Sequence, residues 1–244
     1  MIDIHTHILP GVDDGAKDMA EALAMARLAV ADGLTHLFAT PHHRDYSSLS
    51  RFEVARRVAQ LQAELNAVDI PLTLLTGHEV RLYDDMFDDW DNNLAGPLGN
   101  SLYVLAEPLF SHYDHHTDEM LFELFDRGYI PIMAHPERIR PIQENLALIE
   151  PFLARGGLTQ ITATSLTGNN DWRAKKTAET MLRNGIVHII ASDAHHSYYR
   201  TPTLTAARDA AAVIVGLEQA NAMVNTRPIA IVKNESMIVA PVFI

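Results

Sequence analysis

The chain has 244 residues, is 48% hydrophobic and carries 19 Lys and Arg against 31 Asp and Glu, a formal net charge of −12. That length suits one domain with one sizeable core, expected to span residues 1–244, and that charge argues against nucleic-acid or anionic-membrane binding. With no cysteine there is no disulfide framework, thiolate zinc site or Cys-x5-Arg phosphatase nucleophile; no apolar run reaches the ~18 residues of a membrane span, and the cytoplasm is the expected compartment.

Met1 to His7 reads as a short apolar strand. Alternate residues of a strand share a face, so His5 and His7 can point at one ion. Taken alone, His-x-His fits an ordinary N-terminal strand with solvent-facing histidines better than a metal site. Met19, Leu23, Ala26 and Val30 then make one apolar helical face that stops at Asp32-Gly33. Leu34 to Thr40 reads as a buried strand, and Pro41 puts His42 and His43 in the loop after it. A helix is expected over 50–68, then a strand from Leu72 to Val80 that carries Glu79 at its end. The Asp- and Asn-rich stretch 81–100 lacks calcium-loop spacing and reads as a solvated loop.

Leu102 to Ala106 is the next strand, ending in Glu107-Pro108, and His115 to Arg127 is helical up to Gly128. Ile130 to Ala134 delivers His135-Pro136-Glu137-Arg138. The cycle repeats with a helix over 142–154, a strand over 158–163, a polar loop Thr164 to Gly168 and a helix over 171–183. Val187 to Ala191 delivers Ser192-Asp193-Ala194-His195, and two helical stretches over 203–215 and 217–225 lead to an extended tail with an apolar end, Met237 to Ile244.

Seven strand–helix units in alternation imply an α/β fold with a mainly parallel sheet, and a closed or nearly closed barrel in preference to an open doubly wound one. Gly-x-Gly-x-x-Gly and Walker loops are absent. His5 and His7, His42, Glu79, Glu107, His135, and Asp193 with His195 fall at or just past the carboxyl ends of six of the seven strands, where parallel barrels build their active sites. Imidazoles mixed with carboxylates suit a hydrolytic site of manganese, zinc or iron.

Asp-x-His-x-His at 3–7, Pro-His at 41–42, Glu79, His-Pro-Glu-Arg at 135–138 and Ser-Asp-x-His at 192–195 resemble the PHP superfamily of metal-dependent phosphoesterases. Within it, Leu-Pro-Gly-Val-Asp-Asp-Gly (9–15), Gly-His-Glu-Val-Arg (77–81) and Gln-Ile-Thr-Ala-Thr-Ser-Leu-Thr-Gly (160–168) are similar to the bacterial CpsB/CapC-type tyrosine phosphatases of capsule and exopolysaccharide synthesis. The resemblance runs from Met1 to about Arg208. It implies a distorted TIM-like (β/α)7 barrel in a single domain, with three divalent ions, Mn2+ first and zinc or iron also compatible. The first ion would be held by His5, His7, Glu79 and Asp193. Glu79 would bridge to a second held also by Glu107 and His135, and Asp14, His42 and His195 would hold the third.

The activity so implied is hydrolysis of phosphotyrosine, on a bacterial tyrosine autokinase, by attack of a metal-bound hydroxide. Arg138 and Arg200 are expected to clamp the phosphoryl oxygens; for Arg138 the structural alternative is a salt bridge to Glu137. No general acid is assigned, because a phenolate of pKa ~10 needs less protonation than an alkoxide. A histidinol-phosphate-like or promiscuous phosphomonoesterase is the competing enzyme reading, and a metal-bound regulatory scaffold the competing class. The chain departs from the family's pattern at Asn169-Asn170-Asp171 and at 196–202, loops that bear on substrate preference. Oligomeric state is left open.

Overall fold

The computed structural model describes residues 1–44, 49–168 and 171–237. Its strands form two parallel sheets. One contains β1 (Ile2–Thr6), β2 (His36–Ala39) and β3 (Thr73–Thr76) in that order; the other runs through β4 (Glu79–Arg81), β5 (Tyr103–Glu107), β6 (Ile130–Ala134), β7 (Leu158–Thr162) and β8 (Ile189–Ala191). The two sheets meet at both edges. At one seam Asp193 N–H donates to the His5 carbonyl (2.9 Å) and His7 N–H to that of Ala194 (2.8 Å); at the other, His43 N–H donates to the Glu79 carbonyl (2.9 Å). The strands thus run round in a ring, as expected for a distorted barrel.

The expected strand Leu72 to Val80 divides into β3 and β4 at Gly77. Leu98 inserts beside this break, its N–H on the Tyr103 carbonyl (2.8 Å), and a Cβ at Gly77 would lie 2.8 Å from its side chain. Leu98 also belongs to a small inner cluster with Ile4, Phe38, Tyr103, Leu105, Ile132 and Ile189. The larger cluster lies outside the ring, between strands and helices, and includes Val104, Ala106 and Met133. This is the period-2 division of a strand buried on both faces.

Helices cover the outside. They include α1 (Met19–Ala31), capped by Asp18, and α2 (Arg51–Ala67), whose Ser50 and Glu53 form a reciprocal capping box. Several elements differ from expectation. The loop 81–100 contains a short helix, α3 (Met86–Asp91); α4 (His115–Asp126) is as expected. The helix expected over 142–154 is interrupted. It comprises α5 (Arg140–Glu144), a 3-10 turn Leu146–Ile149 and α6 (Glu150–Ala154), with Asn145 capping the turn and Pro151 tolerated in the first turn of α6.

The polar stretch after β7 is a helix, α7 (Ala163–Thr167), followed by α8 (Trp172–Arg183). After α9 (Thr205–Val215) and α10 (Leu217–Val224), the expected extended tail begins as α11 (Thr226–Lys233), whose Ile231 packs into the inner cluster. Met237 docks there too, while the rest of the apolar end, 238–244, and Asn169-Asn170 lie outside the described residues. Among the described residues no helix is long and apolar enough to cross a membrane.

Candidate metal centre

The inner face of each strand is apolar below and chemical above. In β5, Tyr103 and Leu105 enter the inner cluster and Glu107 continues the same stripe; in β8, Ile189 and Ala191 lead to Asp193. β1 needs a correction to that periodicity. Its pairing with β2 slips between Asp3 and Thr6. The irregularity lets Ile4 join the inner cluster while His5 and His7 still face the centre, the re-aiming that bulges provide beside active sites. His135 (φ 34°) and Asp193 (φ 52°) take left-handed backbone, costly for non-glycine residues and concentrated at functional sites.

All nine expected donors converge. His5, His7, Glu79, Glu107, His135, Asp193 and His195 are buried, His42 nearly so, and Asp14 is half open to solvent. His5 Nε2 and His7 Nε2 face each other at 3.2 Å. Asp193 Oδ1 is 3.4 and 3.5 Å from them, and Glu79 Oε2 is 3.2 and 3.3 Å away. Donors 2.0–2.1 Å from a common cation lie about 3.3 Å apart. The tautomers agree with this. His5 Nδ1 donates to Gln160 Oε1 (3.0 Å) and His7 Nδ1 to Asp13 Oδ2 (2.7 Å), so both Nε2 lone pairs point at each other and at carboxylate oxygens. Such a cluster demands positive charge at its centre: burial resists protonation of the two imidazoles, but the carboxylates around them raise both pKa values, and the same donor set fits a divalent metal in place of those protons.

A second group joins His135, whose Nε2 is 2.8 Å from Glu79 Oε1 and 3.8 Å from Glu107 Oε1. A third joins His7, Asp14, His42 and His195, with Asp14 Oδ1 3.2 Å from His195 Nε2 and 3.5 Å from His42 Nε2. His195 Nδ1 donates to the Asp193 carbonyl (3.0 Å), again leaving Nε2 as the acceptor. His42 connects the groups, since its Nδ1 lies 2.9 Å from Glu79 Oε2.

The titration behaviour reflects this charge demand. Burial resists ionisation of Glu79 and Asp193, yet the surrounding histidines, joined at Asp193 by the Arg200 guanidinium, hold both well below the usual carboxylate range. Burial and then the neighbouring Glu79 charge push Glu107 up to about 8. Burial disfavours the charged form of His42, but Asp14 and Glu79 outweigh it and raise its pKa to about 10. Burial lowers His135 to about 4, leaving the neutral imidazole that metals bind.

Arg138 Nη1 bonds Asp193 Oδ2 at 2.8 Å, and Arg200 bonds the same oxygen. Arg138 therefore does not pair with Glu137, whose buried carboxylate instead accepts from Thr162 N–H (2.9 Å) and Ser165 Oγ (2.7 Å). The Phe110 ring stacks on His135 (5.1 Å) and lies under the Arg138 guanidinium (4.8 Å). These groups enclose a cavity of about 130 Å³, lined also by Arg81.

Four contributors escaped the sequence reading. Gln160 orients His5 and comes from the one strand that supplied no donor; its inward parity on that strand was the available signal. Asp13 orients His7, and the adjacent Gly15 leaves room, since a Cβ there would sit 2.0 Å from the His7 carbonyl oxygen. Arg81 ends β4 and pairs with Glu107 (3.2 Å). Asp89 corrects the picture of a wholly solvated acidic run: it is buried and binds Tyr83, His43 (3.0 Å) and Arg44 (2.7 Å), fixing the turn that carries His42. No local pattern marked it.

A model of the family described as "Capsular polysaccharide synthesis, CpsB/CapC" matches residues 1–233. The chain is 39% identical over 197 residues to the tyrosine-protein phosphatase YwqE of Bacillus subtilis (strain 168), covering 80% of this chain and 78% of the relative. To the tyrosine-protein phosphatase CpsB of Streptococcus agalactiae it is 28% identical over 248 residues, covering 96% and 99%. Among solved structures it resembles one from a study of YwqE from Bacillus subtilis and CpsB from Streptococcus pneumoniae, described as metal-dependent tyrosine phosphatases. The TM-score is 0.93 at 34% identity, covering 99% of this chain and 98% of the other. A β-aspartyl dipeptidase of Fervidobacterium islandicum AW-1 shares the fold alone, with TM-score 0.55 at 14% identity, covering 95% and 73%.

Proposed function

The chain belongs to the CpsB/CapC family of capsular polysaccharide synthesis, and from that premise we propose that it is a metal-dependent protein-tyrosine phosphatase, with residues 1–244 forming one catalytic domain. The observation that supports this reading best is the pair of inward-facing Nε2 lone pairs of His5 and His7, ringed by Glu79 and Asp193 at the floor of an arginine-lined cavity. Its substrate is a phosphotyrosine protein, for which we propose a bacterial tyrosine autokinase, and its compartment the cytoplasm. Three divalent ions, Mn2+ foremost, would be held by His5, His7, Glu79 and Asp193; by Glu79, Glu107 and His135; and by Asp14, His42 and His195.

When bound, such cations neutralise phosphoryl oxygens and lower the pKa of a coordinated water to about 7. The protein supplies the rest. Arg138 and Arg200 meet on one carboxylate oxygen of Asp193, so each retains N–H donors for a phosphoryl group entering the cavity. Phe110 restrains the Arg138 guanidinium by stacking. Gln160 and Asp13 hold His5 and His7 in the tautomer that keeps Nε2 unprotonated. Because the phenolate leaves with a pKa of ~10, the site works without a dedicated proton donor.

The test is a panel of phosphotyrosine peptide, phosphoserine peptide and histidinol phosphate, assayed after chelation and again after Mn2+ reconstitution. Phosphotyrosine should be preferred and turnover should depend on metal. Preference for histidinol phosphate would replace this reading with a small-molecule phosphatase, and absence of any turnover by reconstituted protein would favour a binding scaffold.

A further inference from the structure

Beyond the metal cavity, the ring's carboxyl end opens in two directions of opposite charge. On one side, Arg81 and Phe110 lead into a broad hollow of about 910 Å³ edged by Asp84, Asp85 and Asp114. The arginines there are engaged, Arg44 with Asp89 and Arg81 with Glu107. On the other side, Arg138 and Arg200 are shared with a cavity of about 270 Å³ that reaches Tyr199 and the start of α8. α8 packs against the segment carrying Arg138, and from its first turns Trp172, Arg173 and Lys176 face Arg140 across a hollow of about 490 Å³ in which Glu144 is the one carboxylate.

This second direction runs against the character of the molecule. In a chain of net charge −12, Arg138, Arg200, Arg140, Arg173 and Lys176 form a cationic strip leading away from the metal centre. Arg140, Arg173 and Lys176 are exposed, and among the described residues none of the three makes an ion pair. Trp172 is 68% exposed beside them, with the Arg173 guanidinium 5.4 Å from its ring. An indole held at a surface among cations offers a stacking face for a peptide and unscreened charge for its acidic side chains.

We propose that Arg140, Arg173 and Lys176, with Trp172, form a secondary site that binds an acidic segment flanking the phosphotyrosine, so that the enzyme selects substrates carrying further negative charge near the scissile phosphate. The inference rests on the phosphatase reading and specifies the substrate class of the same site. The geometry sets the length. Lys176 lies five residues from Asp171, roughly 7.5 Å along the helix axis. An extended peptide advances about 3.3 Å per residue, so this basic stretch of α8 matches two to three residues of a bound segment. In the opposite hollow Asp84 pairs with His116, Asp114 with His112, Arg44 with Asp89 and Arg81 with Glu107, so among the described residues it offers no comparable run of unpaired cations.

The experiment compares p-nitrophenyl phosphate with three phosphotyrosine peptides bearing Glu, Ala or Lys at two to five residues on either side, using the Mn2+-reconstituted full chain. The Glu peptide should exceed the Lys peptide in kcat/KM by about tenfold at low salt, and the advantage should shrink at 0.5 M salt. Arg140→Ala/Arg173→Ala/Lys176→Ala should remove most of that preference through KM, with p-nitrophenyl phosphate turnover unchanged. That unchanged turnover certifies an intact fold and centre. Equal kcat/KM for Glu and Lys peptides in the parent protein, or a preference that survives the triple substitution, overturns the proposal while leaving the phosphatase reading intact. Failure of the parent protein to hydrolyse any aryl phosphate overturns the phosphatase reading, and the secondary site with it.

Discussion

Replacing Asp13 by Asn removes one charge and one acceptor from behind the metal centre without touching a donor. Asp13 Oδ2 accepts from His7 Nδ1 (2.7 Å) and from His42 N–H (3.1 Å), and Oδ1 accepts from Gly15 N–H (3.1 Å). An amide has only one accepting oxygen, so either Gly15 or the His7–His42 pair must face an NH2 group. An unsatisfied donor in so closed a place costs about 1–3 kcal/mol. Separately, losing the carboxylate makes His7 a weaker ligand, and changes of this kind reduce metal affinity about 10–100-fold, or about 1.4–2.7 kcal/mol. The two contributions have different readouts. Thermal melts in chelator should report the first as a lower Tm, whereas calorimetric Mn2+ titration should report the second as a raised Kd. At saturating Mn2+, kcat should recover to within a few fold. Parent-like Mn2+ affinity in Asp13→Asn would refute the orienting role and with it the tautomer argument for His7.

Arg200→Ala should raise KM for phosphotyrosine peptide about tenfold or more, since bonds to charged groups contribute about 1.5–3 kcal/mol. Steady-state kinetics with both kcat and KM unchanged would show that this arginine serves only to hold Asp193. Acid stability should depend on His188, which is buried and accepts a hydrogen bond from Thr159 N–H (2.9 Å). Burial, then the Arg227 charge, lowers its pKa to about 4. The unfolded state therefore binds the extra proton, and stability falls as pH drops from about 6.5 toward 4, by roughly 3 kcal/mol from this residue. His188→Asn keeps an acceptor and cannot titrate, so its urea midpoints should decline less over that window; an unchanged pH slope would contradict the assignment.

Much of the site was legible because metal chemistry restricts residue types. His5, His7, Glu79, Glu107, His135, Asp193 and His195 could be picked out by their position after apolar strands, and all meet in the ring. Asp14 and His42 followed from the family resemblance and from Pro41, and they too arrive. What escaped depended on contacts distant in sequence. Gln160 is 155 residues from the imidazole it orients, and Asp89 is 46 from His43. The short helices α3 and α7 and the late α11 were missed for a related reason. Five to eight residues carry too little periodicity to separate a helix from a polar loop or a tail, and packing such as that of Ile231 decides the matter.

By itself, then, the sequence determined the alternation of strand and helix, the parallel arrangement, the donor set and the family. These depend on local periodicity and on side-chain chemistry, which are properties of short segments. Only the tertiary structure decided how the donors face one another. The slipped pairing of β1 turns His5 and His7 inward along with Ile4, and left-handed backbone re-aims His135 and Asp193. Closure at both seams then brings the two imidazole Nε2 atoms to 3.2 Å beside two carboxylates. Those distances are set by the closing of a ring whose members are separated by most of the chain, and no segment contains that information alone.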